Sequence, residues 1–294
     1  MLQRWRIVSL ACVSLATACA PQPASEPDAP APDSDAPASP AADAALASRC
    51  TETETEISCT YETATFQALA VKRPLRYQTP LGAPPPNGWP VVFYYQGSLV
   101  SAENAFHATR DALLGQFELT RTIKALLDHG YAVIAPDALV EFAWQTNVPP
   151  FSLTWPTTSD NAFLQSIFVG VADGTLGPLD TSRMYAMGIS SGGYMTSRMA
   201  VSYPGMFRAL VVHSASYATC GVACVIPAVL PIDHPPTLFV HGGKDPVVPL
   251  AQMKLYRDEL AQQGHVVDTV IDDSAGHEWL SDATSAVVTW FDTH

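Results

Sequence analysis

The sequence predicts an α/β fold in which a mostly parallel sheet carries helices on both faces. Three observations predict it. Short apolar runs alternate with helix-like runs, a Gly-x-Ser-x-Gly motif at residues 188–192 falls between a strand and a helix, and the 245 residues from Cys50 to His294 suit one domain. The predicted strands are residues 89–95, 131–136, 183–187, 209–213, 236–240 and 266–271, and the predicted helices are 119–129, 160–172, 193–200 and 250–263. Two earlier segments, 65–71 and 75–78, are expected to form an antiparallel edge.

The first 18 residues have the pattern of a secretory signal peptide. Arg4 and Arg6 precede an apolar run that ends in Ala-Thr-Ala just before Cys19. A basic start, a short apolar region and an Ala-x-Ala site are typical of export signals, and the run is too short to span a bilayer. Cys19 resembles the lipidated cysteine of a bacterial lipobox, although Ala16 stands where leucine is usual. We therefore expect an exported protein, either a cell-surface lipoprotein lipidated at Cys19 or a freely secreted, extracellular one.

Residues 19–49 are expected to form a disordered tether. Between Ala20 and Ser48 the chain has 7 Pro, 11 Ala and five acidic residues in 29 positions, and no aromatic residue. Such a composition cannot bury enough apolar surface to offset the entropy of ordering. Residues 50–294 then form the catalytic domain.

The charge of the chain excludes some classes of partner. The formal net charge is −13, and loss of the two signal-peptide arginines makes it −15. Such a chain is repelled by nucleic acid and by anionic lipid surfaces. There is no basic patch or glycine-rich phosphate loop. We expect a monomer that needs no cofactor and no metal, and that contacts a membrane only through a lipid on Cys19.

Four cysteines remain after the signal peptide and Cys19, and an even number in an exported protein predicts disulfides. The local pairings Cys50–Cys59 and Cys220–Cys224 are favoured among the three that four cysteines allow. A four-cysteine zinc site is the alternative, but neither spacing matches the usual ligand pairs. The alternating residues 51–58 suggest an exposed edge strand or hairpin inside the first loop.

Within the motif, Ser190 is predicted to be a nucleophile and its neighbour Ser191 is not. A serine in a sharp strand-to-helix turn needs small residues two positions away on either side. Ser190 has Gly188 and Gly192 there, whereas Ser191 has Ile189. A tightly packed structural serine is the alternative interpretation.

A nucleophilic serine needs a histidine base and a carboxylate that orients the base. Asp245 and His277 follow Ser190 in the order serine, acid, histidine, and each lies in a loop just after a predicted strand, where open α/β sheets place their sites. Helix capping is the alternative role for Asp245. The rival acids, Asp272 and Asp273, belong to the histidine's own loop, and the rival bases are His213 and His241.

Acyl transfer also needs donors for the developing oxyanion. One is predicted to be the backbone N–H of Ser191, directly after the nucleophile. The second is predicted to be the N–H of Ser98, because Gly97 lets the loop after strand 89–95 approach closely. A simple turn at Gly97 is the alternative.

The stretch from Asp180 to Thr196, with Tyr203-Pro204 behind it, resembles secreted esterases of the polyhydroxybutyrate depolymerase type, which include feruloyl and acetylxylan esterases. The run His-Gly-Gly-Lys-Asp-Pro-Val-Val-Pro at 241–249 and the tetrapeptide Gly-His-Glu-Trp at 276–279 fit the same resemblance. It covers residue 89 to the C-terminus. It implies an α/β-hydrolase fold and places the triad on Ser190, Asp245 and His277. The chain departs from the pattern at Gln96, where such enzymes commonly have histidine.

The sequence therefore predicts an exported serine carboxylester hydrolase that acts through an acyl-enzyme. The expected substrate is an ester, either a polymeric, polyhydroxyalkanoate-like polyester or a carbohydrate ester. A prolyl-oligopeptidase-like peptidase and a non-catalytic surface-binding module are the alternatives. Aromatic residues between 138 and 159 could form a lid over the site or pack as ordinary core; they are Phe142, Trp144, Phe151 and Trp155.

Overall fold

The computed structural model describes residues 47–139, 143–221 and 224–294. The predicted signal peptide, Cys19 and nearly all of the predicted tether lie outside the described residues, as does Phe142. Within the described ranges, no helix is both long enough and apolar enough to cross a bilayer.

Eleven strands and five α-helices are found in the described ranges. The strands are β1 (Cys50–Glu52), β2 (Glu56–Cys59), β3 (Glu62–Ala68), β4 (Val71–Gln78), β5 (Trp89–Tyr95), β6 (His107–Thr109), β7 (Ala132–Pro136), β8 (Leu179–Ile189), β9 (Ala209–His213), β10 (Thr237–Gly242) and β11 (Val267–Asp272). The helices are α1 (Gln116–Asp128), α2 (Ser159–Ala172), α3 (Ser191–Ser202), α4 (Leu250–Gln262) and α5 (Ala283–Thr293).

Eight of the strands form one sheet, in the order β11-β10-β9-β8-β5-β7-β4-β3. The six strands from β11 to β7 are parallel, and β4 and β3 add an antiparallel edge. The predicted mostly parallel sheet with an antiparallel edge is confirmed. Tyr95 pairs with Gly188, and Ile189 pairs with His213. The carboxyl ends of β5, β8 and β9 therefore meet at one level, on the edge where loops carry sites in such sheets.

Helices cover both faces of this sheet. Successive side chains of a strand point to opposite faces, so each face carries apolar side chains that a helix can bury. On β5, Val92 and Tyr94 pack in a core with residues of α1 and α5. Val91, Phe93 and Tyr95 pack on the opposite face with residues of α2 and α3. A third cluster joins α3 to α4. The fold is that of an open sheet buried on both sides, as its apolar strands require.

A small second sheet, in the order β1-β2-β6, lies at the start of the described chain. Cys50 and Cys59 are directly opposite each other in the β1–β2 hairpin and form a disulfide. A second disulfide joins Cys220 to Cys224. Both pairs are the ones favoured from the sequence, and they leave no described cysteine to hold zinc. Strand β6 was not predicted, because three residues carry too little pattern to detect.

The segment between β7 and α2 is fastened to the core rather than folded as an aromatic lid. Trp144 and Trp155 are buried, whereas Phe151 is partly exposed. A buried ion pair, Arg73 to Asp160 at 2.6 Å, lies under the segment, and the backbone N–H of Gln145 donates to the same carboxylate. For Trp144 and Trp155 the core interpretation is correct, because both side chains are buried. The buried Asp160 carboxylate needs hydrogen-bond donors, and Arg73 and Gln145 supply them.

Candidate active site

The turn between β8 and α3 holds Ser190 in a conformation that few residues adopt. Its φ is +56° and its ψ is −122°. Such backbone strain persists only where the surrounding structure enforces it. Close backbone contacts require glycine at both Gly188 and Gly192. A Cβ on Gly188 would lie 2.5 Å from the carbonyl oxygen of Gly192, and a Cβ on Gly192 would overlap the carbonyl oxygen of Tyr95.

The two serines of the motif have different surroundings. The hydroxyl of Ser191 is buried and accepts a hydrogen bond from the backbone N–H of Trp144 at 2.9 Å. Ser190 is half-buried at the tip of the turn. Its backbone N–H donates to the carbonyl of His213 at 3.0 Å, which fixes the turn against β9. Of the two, only Ser190 presents a hydroxyl at the surface of the turn.

Asp245 lies in the loop after β10 and is held by backbone donors. Its Oδ1 accepts hydrogen bonds from the N–H groups of Val247 and Val248, both at 2.8 Å. Burial raises the pKa of the Asp245 carboxyl, but the hydrogen bonds from His277 and Val248 and the charge of His277 outweigh burial, so its pKa lies below the ordinary value. Asp245 therefore stays ionised over the range in which a histidine titrates.

His277 lies in the loop after β11 and contacts Asp245 directly. Its Nδ1 is 2.6 Å from Asp245 Oδ2, and both side chains are nearly inaccessible to solvent. This contact puts the proton of a neutral imidazole on Nδ1 and leaves Nε2 free as a base. In the described part of the chain, no hydrogen bond joins the Ser190 hydroxyl to His277. Catalytic hydrogen bonds are often long before substrate binds.

The rival acids have other contacts. Asp272 Oδ1 accepts from the N–H and the hydroxyl of Ser274, at 2.8 and 2.7 Å, and so closes the turn that leads to His277. Asp273 is exposed. Neither carboxylate has a hydrogen bond to His277 among the described residues.

The rival base His213 is fully buried and its ring is already engaged. Its Nε2 accepts the backbone N–H of Leu280 at 3.1 Å, and the ring stacks on Trp279 with centroids 4.6 Å apart. Burial, together with the nearby His241 and His277, lowers the pKa of His213 well below its ordinary value. His213 is thus neutral, and its carbonyl and ring join the turn that carries Ser190 to the loop that carries His277.

The other rival base, His241, supports the acid loop. Its Nε2–H donates to the carbonyl of Val248 at 2.8 Å and lies 3.6 Å from Asp245 Oδ2. Its Nδ1 is buried and has no hydrogen-bond partner in the described part of the chain. Burial lowers the pKa of His241 despite the Val248 carbonyl and the nearby Asp245. The side chain is neutral and fixes the residue whose N–H binds Asp245.

The predicted oxyanion donors lie on two neighbouring elements. Ser191 begins α3, and the N–H groups in the first turn of a helix have no partner within the helix. Ser98 lies in the turn after β5, next to Gly97, whose Cβ would be 3.4 Å from the carbonyl of Ile189. The side chain of Gln96, which replaces the usual histidine, donates from Nε2 to the carbonyl of Val100 across this loop.

The sequence left Trp144 as either a lid residue or a core residue, and its hydrogen bonds to the site were not predicted. Its backbone N–H binds the hydroxyl of Ser191, and its indole N–H donates to the carbonyl of Gln96 at 3.0 Å. Trp144 thereby joins the turn that carries Ser190 to the loop that carries Ser98. The sequence signals only an aromatic residue among prolines, which does not reveal such contacts.

Comparisons with known proteins identify the family. No protein-family model matches the chain. The chain is 47% identical over 259 residues to a poly(3-hydroxyoctanoate) depolymerase of Pseudomonas fluorescens, and the alignment covers 85% of this chain and 93% of that protein.

Two solved structures share the fold at low sequence identity. A ferulic acid esterase of Anaeromyces mucronatus superposes with a TM-score of 0.58 at 15% identity, covering 83% of this chain and 93% of the esterase. An acylaminoacyl peptidase of Pyrococcus horikoshii superposes with a TM-score of 0.52 at 15% identity, covering 74% of this chain but only 37% of the peptidase. The resemblance predicted from the motifs is confirmed. The chain belongs to the family of the Pseudomonas depolymerase and is a serine carboxylester hydrolase with the α/β-hydrolase fold.

Proposed function

We propose that this chain is an exported depolymerase that cleaves the ester bonds of a poly(3-hydroxyalkanoate)-like polyester through Ser190, His277 and Asp245. One observation supports it above the others. The buried contact between Asp245 and His277 lies beside a strained serine turn, in a chain that is 47% identical to a polyester depolymerase over most of the length of both.

In the proposed reaction, the Ser190 hydroxyl attacks the ester carbonyl while His277 Nε2 takes its proton. The tetrahedral intermediate collapses, the C–O bond to the alcohol breaks, and the imidazolium returns the proton to the leaving alkoxide. Water then attacks the acyl-enzyme with His277 again acting as base, and a free carboxylic acid leaves. Asp245, kept ionised by its backbone donors, stabilises the imidazolium at each step.

The N–H groups of Ser191 and Ser98 are the proposed oxyanion donors. Each such donor contributes about 3 to 4 kcal/mol to the transition state in enzymes where it has been removed. The Gln96 side chain supports this assignment, because its bond to the Val100 carbonyl closes the loop that carries Ser98. Glutamine thus supplies a loop-closing donor where a histidine is usual.

Export is proposed from the signal-peptide pattern before Cys19, which leaves lipidation of Cys19 as a choice between an anchored and a released enzyme. The two disulfides support an oxidising compartment, since such bonds persist outside the cytosol. If Cys19 carries lipid, Cys19→Ala is expected to move active enzyme from the membrane fraction to the soluble fraction. An unmodified, soluble wild-type protein whose N-terminus lies at or after Cys19 would show free secretion.

A substrate panel tests the proposed activity. We expect the mature domain to release monomers or oligomers from poly(3-hydroxyoctanoate) film faster than it hydrolyses feruloyl or acetyl xylan esters, and to leave aminoacyl-anilides intact. Hydrolysis of the carbohydrate esters at a higher kcat/KM would reassign the substrate to the carbohydrate class. Preference for the anilides would favour a peptidase instead.

Matched variants test the residue roles. Ser190→Ala and His277→Ala should each lower kcat by roughly five to six powers of ten, and the double variant should be hardly worse, because triad members act as a unit. Asp273→Asn is the matched control for the acid, because Asp273 is an exposed carboxylate in the same loops. If it costs more activity than Asp245→Asn, the acid has been assigned wrongly.

A further inference from the structure

Several large apolar side chains are exposed on the loops that surround the candidate active site. Between 39% and 82% of each side chain is accessible to solvent. Together they form the apolar rim, which consists of Leu99, Leu113, Val148, Phe151, Leu153 and Val247. Exposed apolar groups gathered around a site indicate a surface that meets a partner.

Three members of the rim are attached to the site residues themselves. Leu99 follows Ser98, and the N–H of Val247 donates to Asp245. Leu113 precedes Leu114, whose carbonyl accepts the N–H of Trp279 in the histidine loop at 2.8 Å. The side chain of Leu114 also lies 3.4 Å from the position that a Cβ would take on Gly97. The loops that carry Ser98 and Asp245 therefore each hold a rim residue, and a third rim residue lies beside the loop that carries His277.

The other three members lie on one compact turn, residues 148–154. Hydrogen bonds close it, including Ser152 N–H to Val148 O at 3.1 Å and Leu153 N–H to Pro150 O at 3.0 Å. It begins four residues after Trp144, whose N–H binds the hydroxyl of Ser191. Hydrogen bonds from Thr146 and Asn147 to the carbonyls of Ala218 and Cys220 fix its base. The segment that leads into this turn is therefore fixed beside the start of α3, directly after Ser190.

The charge of these loops indicates the kind of partner. The chain has 15 Lys and Arg and 28 Asp and Glu residues, yet none of them occurs in the three segments that carry five of the six rim residues, 96–102, 143–159 and 246–253. A surface for an anionic lipid, a nucleic acid or a charged polysaccharide needs ionic groups to pair with the ligand. The uncharged segments that carry most of the rim suit a ligand that is itself neutral and apolar.

We infer that the apolar rim docks this enzyme on the surface of a solid, uncharged aliphatic polyester, so that the chain nearest the surface enters the site. The inference rests on the proposed function. In a poly(3-hydroxyoctanoate) the repeating esters are neutral and each carries a pentyl branch, and burying such branches against leucine, valine and phenylalanine removes apolar area from water on both sides.

A matched pair of variants tests the rim, made in Ser190→Ala protein so that adsorption is measured without hydrolysis. The rim variant is Phe151→Ser with Leu153→Ser. The control is Val229→Ser with Ile232→Ser, at side chains that are 83% and 96% exposed. These lie at the far end of α4 from the acid loop, because Ala228 O and Leu230 N both bond to Gln263. The readouts are melting temperature and the adsorption isotherm on poly(3-hydroxyoctanoate) film.

The rim variant should adsorb about tenfold to a hundredfold more weakly, since each large apolar side chain buried is worth about a factor of ten. The control should adsorb like the parent. With Ser190 restored, the rim variant should keep its kcat/KM on soluble p-nitrophenyl butyrate and lose film hydrolysis. Phe151→Trp, which enlarges the apolar surface, should strengthen adsorption, and it guards against misfolding of the serine pair.

Equal losses in the rim and control variants would overturn the inference, because adsorption would then be non-specific. Equally strong binding to neutral phosphatidylcholine vesicles would also overturn it, in favour of a membrane. So would a concentration-dependent dimer that the rim variant dissolves while film adsorption stays unchanged. A wild-type enzyme that adsorbs through the rim but cleaves no polyester would contradict the proposed function and leave the docking inference standing.

Discussion

The turn that carries Ser190 and the loops that carry Asp245 and His277 hold these three residues by different means. Around Ser190 the backbone itself is packed, and glycines 188 and 192 leave no room for a Cβ against the carbonyls of Gly192 and Tyr95. The Asp245 carboxylate is instead held by hydrogen bonds from Val247, Val248 and His277, although Gly242 and Gly243 before it pack closely against the loop of His277. Ser190 should therefore respond mainly to added volume, and Asp245 also to lost donors and acceptors.

The largest expected effect in the hydrogen-bonded region comes from Asp245→Asn. The amide keeps the shape of the carboxylate but can donate to His277 Nδ1, which favours the tautomer that cannot act as base. We expect kcat to fall about 10⁴-fold with little change in KM. Steady-state kinetics on a soluble ester measure this, with circular dichroism as the check on folding. A loss below tenfold would show that this contact does not serve catalysis.

In the packed region, Gly192→Ala should cost about 3 kcal/mol or more of stability and at least a hundredfold in activity, because the new Cβ overlaps a backbone carbonyl that cannot move cheaply. Gly276→Ala is the matched control beside His277, since a Cβ there meets nothing within 4 Å. It should stay within about 1 kcal/mol of the parent in urea unfolding. Similar losses in both variants would show that the loss at Gly192 does not come from the overlap with the Tyr95 carbonyl.

A third comparison concerns the support of the acid loop by His241. His241→Leu leaves the buried carbonyl of Val248 without its donor, which should cost about 1 to 3 kcal/mol and lower kcat/KM about tenfold. His241→Gln can place an amide N–H near the same carbonyl and should recover most of both losses. If glutamine and leucine behave alike, the hydrogen bond does not position Asp245.

The smallest effect is a dependence of stability on pH. His213 and His241 have pKa values below the ordinary 6.5 because both are buried. Between their folded and unfolded pKa values the unfolded chain binds more protons, so the free energy of unfolding should be full above pH 6.5 and fall as the pH drops below it. His241→Gln removes one of these groups and should flatten the slope in urea unfolding between pH 7.5 and 5. An unchanged slope would show that His241 does not titrate on unfolding.

The same contrast explains what the sequence could predict. Gly188, Ser190 and Gly192 are recognisable because a packed turn tolerates few residue types, and strand pattern placed Asp245 and His277 at the correct edge of the sheet. The contacts of Trp144, Gln96 and His241 were not predictable. Gln96 and His241 each bond to a backbone carbonyl within their own loops, which carries no signature of residue type. Trp144 binds a hydroxyl 47 residues away that tertiary packing brings near.

For a related reason, the sequence could not show whether Trp144 and Trp155 belong to a lid or to the core. A proline-containing segment with four aromatic residues has no helical or strand period, so its pattern cannot separate a lid from core. Trp144 is placed by hydrogen bonds to Ser191 and Gln96 and lies under Arg73, whereas Trp155 lies under Arg198. These partners lie far away in the sequence.

The Cys50–Cys59 disulfide has a mechanical consequence. A pull on the chain upstream loads the side-chain hydrogen bonds of Ser48 and Arg49 first, and then Cys50 on the short first strand of the β1–β2 hairpin. Hydrogen bonds that are loaded one after another open at low force, whereas a covalent bond across the first pair passes the load directly to β2 and then to β6. If the enzyme is anchored upstream, as lipidation of Cys19 would make it, this first hairpin cannot be peeled away while a solid substrate drags on the domain.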